Sequence, residues 1–405
     1  DFWSAGVGYL INKEPWFNAP WVDMLKIKAS IGSQGNDNIG SYRYTDTYYI
    51  QNADGEVSVV FNTKGNKKVT WETNTNFNAG ADFEFFNNRL SGSVEYFYRK
   101  TSDMLYWVTV PSSQGYSGYY GNVGDMRNSG VEFAINATAI RSHNVNWDIY
   151  LNATNYSNKI IRLPEANKKK TVEGHSGYAT GNKFVGEGLS LNTFLMPKYA
   201  GVEPTTGLSM WYKDVTDEAT GKVTRETTTK YSEATDYLCS VPTPILYGGF
   251  GTSISFWNFD LSVDFTYSIG GKAYDSGYAS LMNVPGSSVG YNIHKDVLKG
   301  WTPENTNTDI PRFQANDQNV VSMSDRFLTN ASYLNFQRAQ FGYNLPKSLL
   351  SKVKINSVRF YVTADNICYW SVRKGFDPRY SFTGATSDAV CSPVRTVSGG
   401  VTITF

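Results

Sequence analysis

The sequence predicts an all-β chain, a large antiparallel transmembrane β-barrel. Three observations predict it. Apolar and polar residues alternate through segment after segment. The links joining these segments are alternately short and long. Aromatics make up 15% of the 405 residues, with 28 Tyr, 23 Phe and 10 Trp, a supply that girdles at both membrane surfaces use. Strand side chains point to opposite faces in turn, so each segment has one apolar wall and one polar wall. A soluble sandwich turns the apolar wall inward. A membrane barrel turns it outward, against lipid, around a polar lumen. Aromatics also favour ordinary strands, so composition alone leaves both open. Loop length decides, because a sandwich has no reason to sort its loops by end.

Residues 1–11 place Trp3, Ala5, Val7, Tyr9 and Ile11 on one side. Over 23–32, Leu25, Ile27, Ala29 and Ile31 oppose Lys26, Lys28 and Ser30. Residues 73–86 set Thr75, Phe77, Ala79, Ala81, Phe83 and Phe85 against Asn74, Asn76, Asn78, Asp82 and Glu84. They turn into 89–106 through Asn87-Asn88, residues that tolerate positive φ. The next pair is 127–140, with Val131, Phe133, Ile135 and Ala137, and 145–158, with Trp147, Ile149, Leu151 and Ala153. A weaker pair, 192–203 and 207–213, surrounds Glu203–Gly207. Residues 243–256 pair with 258–270, where Phe259, Leu261, Val263, Phe265 and Tyr267 oppose Asp260, Ser262, Asp264 and Thr266. The last elements are 331–345, 353–370 and 394–405. Parity changes in two of them, from Leu334 and Phe336 to Ala339, Phe341 and Tyr343, and from Val353 and Ile355 to Val358, Phe360 and Val362. A β-bulge gives such a slip; so do misplaced strand limits.

Thirteen strands result. The long links are 33–72, 107–126, 159–191, 214–242, 271–330 and 371–393. Within them, 42–50 with 57–61 reads as a hairpin and 291–300 as a short helix. Bacterial single-chain barrels have even strand numbers, so thirteen points to earlier strands upstream. The opening DFWSAGVGYL has neither Met nor a signal-peptide core and starts inside a strand pattern, which reads as the later part of a longer chain.

A net charge of +1 gives no reason to expect a nucleic-acid partner. No run of 18 apolar residues exists, so no membrane-spanning helix is expected. His143, His175 and His294 have no metal-ligand spacing, and no nucleophile elbow, P-loop or H-E-x-x-H occurs. Neither a metal nor a cofactor is expected. Gly248, Gly249 and Gly251 read as close-contact positions in a strand. Asp82, Glu84, Glu95, Asp148, Asp260 and Asp264 read together as a hydrated lumen wall rather than a catalytic dyad, so no enzyme is expected. Of three cysteines, Cys368 and Cys391 flank the last long link and either bridge or stand alone, as Cys239 does. Lys168, Lys169 and Lys170 read as a solvated run, and Trp301 as structural. The aromatic link with Tyr106, Trp107, Tyr116, Tyr119 and Tyr120 is the candidate binding surface, for a sugar, a peptide or a protein lid; capping of the barrel rim fits these residues equally.

Several stretches resemble the C-terminal barrel portion of SusC-like TonB-dependent transporters of Bacteroidetes outer membranes. They are LKIKASIGSQGND (Leu25 to Asp37), the run from Trp71 to Tyr106 with its NNRLSG turn, and KYAGVEPTTG (Lys198 to Gly207) as a short turn. WTPENTNTDIPR (Trp301 to Arg312), ASYLNFQRAQFGYNLP (Ala331 to Pro346), TADNICYW (Thr363 to Trp370) and KGFDPRY (Lys374 to Tyr380) follow in the family's order. The terminal VSGGVTITF, with Val401, Ile403 and Phe405 on one face, resembles the sorting signal read by the outer-membrane insertion machinery. The resemblance implies that 1–405 is part of a 22-stranded barrel, with a plug and TonB box upstream. It implies energised import of a bulky nutrient, oligosaccharide or peptide. The implied partners are a SusD-like surface lipoprotein, the TonB complex through the upstream segment, and outer-membrane lipid and lipopolysaccharide, with a dimer of transporter–lipoprotein pairs. The rival readings are a passive porin or surface adhesin, an outer-membrane enzyme, and a soluble secreted carbohydrate-binding β-protein.

Overall fold

Extended segments become a sheet when each backbone N–H and C=O finds a partner on a neighbouring strand. Eleven of the alternating segments do so. The computed structural model describes residues 2–53, 55–284, 292–350, 355–380, 382–386 and 392–405. Its main sheet consists of β1 (Trp3–Leu10), β2 (Val22–Asn36), β3 (Glu72–Phe85), β4 (Leu90–Ser102), β5 (Asp125–Arg141), β6 (Val145–Arg162), β7 (Leu246–Phe256), β8 (Phe259–Ile269), β9 (Tyr333–Asn344), β10 (Ser357–Trp370) and β11 (Thr396–Thr404). Each pairs antiparallel with the next in chain order.

Register carries the alternation across the whole wall. One row of paired positions runs Tyr9, Ile27, Ala81, Val94, Phe133, Ala153, Gly248, Tyr267, Leu334, Trp370. A neighbouring row runs Lys26, Asp82, Ser93, Ala134, Asn152, Gly249, Thr266, Asn335, Tyr369. A slip of one residue in any strand would mix these rows. Phe86, Asn87 and Asn88 all take positive φ near 60° in the β3–β4 turn, as the Asn-Asn pair predicts.

Among the described residues the count corrects from thirteen to eleven. The segments 192–203 and 207–213 do extend, but as Thr193–Pro197, Tyr199–Val202 and Ser209–Thr216 in two separate small sheets. The expected links 159–191 and 214–242 therefore merge into one connection, 163–245, and KYAGVEPTTG lies inside it rather than at a wall turn. With that change the sorting is complete. Connections 11–21, 86–89, 142–144, 257–258 and 345–356 are short, while 37–71, 103–124, 163–245, 270–332 and 371–395 are long.

The first parity change is a bulge: Gln337 is skipped between Phe265↔Phe336 and Asp264↔Arg338. The second came from strand limits, because β10 begins only at Ser357 and Val353 lies outside the described residues. β10 holds an unanticipated irregularity at Asn366 (φ 52) and Ile367, opposite the Gln337 bulge. The hairpin of the first long connection forms as Thr47–Ala53 with Glu56–Thr63, and the short helix as a 3-10 turn, Lys295–Lys299. A further α-helix, Ser276–Leu281, is capped by the Asp275 carboxylate accepting from the Tyr278 N–H.

The buried core lies mostly outside the wall, with Ile160 joining it from the loop end of β6. Phe184, Phe194, Trp211, Met282 and Phe327 are almost fully enclosed, and all lie in the long connections. Outward wall residues stay open: Val7 is 69% exposed, Val362 54% and Val401 54%. The apolar rows therefore do not meet across a dry interior, which excludes a sandwich for the described residues.

Candidate functional site

Two regions carry the functional prospects, the polar face of the wall and the surface built by the long connections. On the polar face, Lys28 Nζ lies 2.9 Å from Asp82 and 3.0 Å from Glu95. Arg359 reaches Asp260 with two N–H groups, at 3.1 and 2.5 Å. The Tyr150 hydroxyl donates to Asp264 at 2.7 Å, Thr138 donates to Asp148 at 2.7 Å, and Arg338 pairs with Asp365 at 2.8 Å. Five of the six carboxylates singled out in the sequence thus bind a donor one or two strands away, and Glu84 stands on the same face. No cluster able to hold a metal ion exists among the described residues. His143 is exposed in a short turn, His175 Nδ1 meets the Glu187 carbonyl at 2.8 Å, and His294 packs edge-on to Tyr278.

The five aromatics of the candidate binding link are divided by a hairpin, Leu105–Thr109 with Gly118–Asn122. Trp107 and Tyr120 are paired and pack edge-to-face, with ring centres 5.2 Å apart. Arg43 lies 5.2 Å over Tyr120, and Asn66 donates to the Tyr120 carbonyl. Tyr116 packs near Phe61 of the neighbouring hairpin and donates to Gln114. Tyr106 is 47% exposed and hydrogen-bonds Tyr178 of the third long connection. Tyr119 is half-buried opposite Val108. Alternation puts Trp107 and Tyr120 on one face and Tyr106 and Tyr119 on the other. The preceding long connection, which supplies Arg43 and Phe61, carries residues the sequence reading passed over: Tyr42, Tyr44, Tyr48 and Tyr49 are all exposed. The tyrosine run from Tyr42 to Tyr49 was the available signal.

The long connections are tied together by the recurring motifs. Trp301 Nε1 donates to the Pro204 carbonyl, and Arg312 donates to the carbonyls of Thr206 and Gly207. Gly207 has φ +73°, and a Cβ there would strike the Trp301 ring. Asn305 and Thr308 bond back to Lys299 and Gly300, which makes the rigid turn expected of that stretch. The Glu203 carboxylate, accepting from Thr205 and Thr206, is pushed down to about 2. In KGFDPRY, Arg379 grips Asp377 through two N–H groups and donates a third to buried Asn335 of β9. Burial works to raise the Asp377 carboxyl, but Arg379 and Ser392 hold it below its ordinary value. Arg373 pairs with buried Asp275. The basic run is paired as well as solvated: Lys168 contacts Glu165 and Glu187, and Lys170 contacts Asp236. Burial lifts the Cys239 thiol to about 12, and a Cys368–Cys391 bridge falls on a residue outside the described set.

Aromatics bracket the apolar rows at both ends. Trp21, Phe85, Phe86, Phe256, Trp257 and Phe259 cluster around the short turns, with Phe256 and Phe259 stacked at 5.4 Å. Phe2, Trp71 and Trp370 stand exposed at the end with the long connections. An exposed apolar band between two aromatic belts is the exterior of a membrane barrel. The family model described as "TonB dependent receptor-like, beta-barrel" matches residues 1–367.

The chain belongs to the TonB-dependent receptor β-barrel family. It is 28% identical to TonB-dependent receptor P3 of Formosa agariphila over 94% of this chain and 38% of that protein. It is 26% identical to TonB-dependent receptor SusC of Bacteroides thetaiotaomicron, over 93% of this chain and 37% of SusC. The solved structure of the RagAB peptide transporter superimposes on all of this chain with a TM-score of 0.86 and 28% identity, over 43% of its own chain. The chain thus spans about two fifths of these relatives. It is a SusC-like outer-membrane barrel, and barrels of this kind keep short turns in the periplasm and long loops outside.

Proposed function

We propose that this barrel serves in the energised import of a bulky oligomer, an oligosaccharide or a peptide, across the outer membrane of a bacterium of the Bacteroidetes type. One observation carries the reading: a continuous wall with an apolar exterior and an ion-paired polar face, topped at one end only by large packed loops. Such a wall suits a wide lumen that admits hydrated cargo, and loops of this size suit a docking platform. Membership of the family supports a plug and a TonB-contacting segment in the whole protein. The likeness to SusC and to the RagAB peptide transporter supports a SusD-like surface lipoprotein as lid; pairing of two such units is part of the proposal. In this reading Tyr106 and Tyr119, with Trp107, Tyr116 and Tyr120 as their backing, meet cargo or lid. Val401, Ile403 and Phe405, the last 89% exposed, form the segment read during membrane insertion. Catalysis has no part in it.

The test is uptake of labelled oligopeptides and oligosaccharides by cells carrying the full-length protein, with and without TonB and the neighbouring lipoprotein. Import of one class, lost without TonB, is expected. Passive uptake that ignores TonB would favour a porin. Tyr106→Ala with Tyr119→Ala should weaken uptake about tenfold, since each stacked aromatic contributes about 0.5–1.5 kcal/mol.

A further inference from the structure

One strand edge in the outer loops is left open. Within the connection 163–245, a small sheet runs Tyr199–Val202, Ser209–Thr216, Val223–Thr228. Exposed edges are normally blunted by shortness, a bulge, proline, lysine or cover. The edge at Tyr199–Val202 is short and has a register shift between Tyr199 and Gly201. The opposite edge, Val223–Thr228, has six residues, no proline and no register shift, and all but Thr228 are exposed. Its one cation does not guard it. Arg225 is drawn onto the sheet face by Asp214, at 3.0 Å, and lies over the Tyr237 ring.

Register shows which backbone groups are free. The Asp217 N–H donates to the Lys222 carbonyl at 2.9 Å. Bonded pairs recur at every second position of an antiparallel ladder, so Val215 with Thr224, Lys213 with Glu226 and Trp211 with Thr228 are the bonded ones. Tyr212 agrees with this phase, since its N–H turns the other way, to the Lys198 carbonyl. Val223, Arg225 and Thr227 therefore aim their N–H and C=O groups away from the sheet, and no described group bonds them. Donors and acceptors alternating at this spacing match another polypeptide strand; sugar hydroxyls have no such repeat.

The side chains mark the ends of a short occupant. Lys222 and Glu226 are exposed, share one face of the sheet and make no ion pair with a described residue. Lys213, opposite Glu226, is taken by Glu233 at 2.9 Å. Lys222 and Glu226 stand about 13 Å apart along the strand. A peptide added antiparallel brings its terminal carboxylate to Lys222 and its terminal ammonium to Glu226. An internal strand of a folded partner has no such ends. Thr224, Thr227 and Thr228 make up the rest of the edge, which suits a site that reads backbone more than side chains.

We propose that Val223–Thr228 receives cargo as an added antiparallel strand, a free-ended peptide of about five or six residues. The proposal rests on the import reading above and narrows its cargo to peptides.

The test is calorimetric titration of the full-length protein in detergent with a valine–threonine hexapeptide. Wild type should bind it. The same peptide N-methylated at every internal residue, which can donate from neither edge, should bind about tenfold more weakly. Val223→Pro with Thr227→Pro should have the same effect, because proline at these outward positions spares the sheet's own bonds but removes the free donors. Val223→Ala with Thr227→Ala should bind as wild type does. Acetylating and amidating the peptide should weaken binding about threefold, and Lys222→Ala with Glu226→Ala should erase that difference. Equal binding of the N-methylated peptide overturns the proposal, and so does equal weakening by the alanine and proline pairs. If the proline pair instead releases a surface lipoprotein while peptide binding stands, the edge joins a protein and the proposal fails. It also fails, with the import reading intact, if a glucose hexasaccharide binds and the hexapeptide does not. The expected binding pattern without TonB-driven uptake would count against the import reading alone.

Discussion

Arg379 and Asp377 fasten the last long loop to the wall through a buried, two-pronged pair, 13% and 6% exposed. Removing one partner of such a pair leaves an uncompensated charge, at a cost of about 3–5 kcal/mol. Arg379→Ala should therefore loosen loop 371–395, seen as faster proteolytic cleavage there with the wall intact. Asp377 has its carboxyl held below 3.8, so its contribution is complete above the unfolded value near 3.9. It is lost as pH falls through the lower folded value. Asp377→Asn should flatten that acid limb in a melting experiment. Lys183 also makes stability rise with pH, but by relief of a burial cost rather than through an ion pair. Burial pushes its ammonium down to about 7, although it lies over the Phe194 ring and donates to the Asn192 and Thr383 carbonyls. Between pH 7 and 10.5 the unfolded chain binds more protons at this site, so stability should rise with pH across that window. Wild type should gain melting temperature from pH 7 to 9 relative to Lys183→Met; equal gains would remove Lys183 from the account.

Among the elements, the Glu203–Gly207 turn shows how loop structure depends on distant sequence. Trp301 and Arg312 clamp it from a different part of the chain. Gly207→Val should destabilise the clamp by more than 1 kcal/mol, because the residue adds both a positive-φ penalty and a clash with Trp301. Loss of Trp301 fluorescence shift on mild heating is the readout. The same turn marks the limit of what the sequence reveals. The wall strands were legible because period-2 alternation is a local signal, and because a wall exposed to lipid on one side and water on the other obeys it strictly. Asn87-Asn88 and the Gln337 bulge were legible for the same reason. Thr193–Pro197 and Ser209–Thr216 also extend, yet they pack into loop cores around Phe194 and Trp211. Nothing in their own residues separates a loop strand from a wall strand. The candidate site was legible as a cluster of aromatics, but its division into two faces followed from the hairpin register, which depends on partners at Arg43, Phe61 and Tyr178.

For the whole molecule, the governing fact is that burial and polarity are arranged oppositely to a soluble protein. Most enclosed apolar side chains sit in the long loops, while the wall shows its apolar rows to the surroundings. An arginine placed outward at mid-wall, as in Ile149→Arg, should cost about 2–4 kcal/mol in a bilayer, and one placed inward, as in Ser262→Arg, much less. The most direct test is a spin-label scan of β6 from Trp147 to Thr154 in the full-length protein in bilayers, reading collisions with dissolved oxygen and with a water-soluble nickel chelate. Labels at 147, 149, 151 and 153 should favour oxygen, and those at 148, 150, 152 and 154 nickel, with a period of two. Odd positions shielded from both reagents would place them in a protein interior and contradict the barrel.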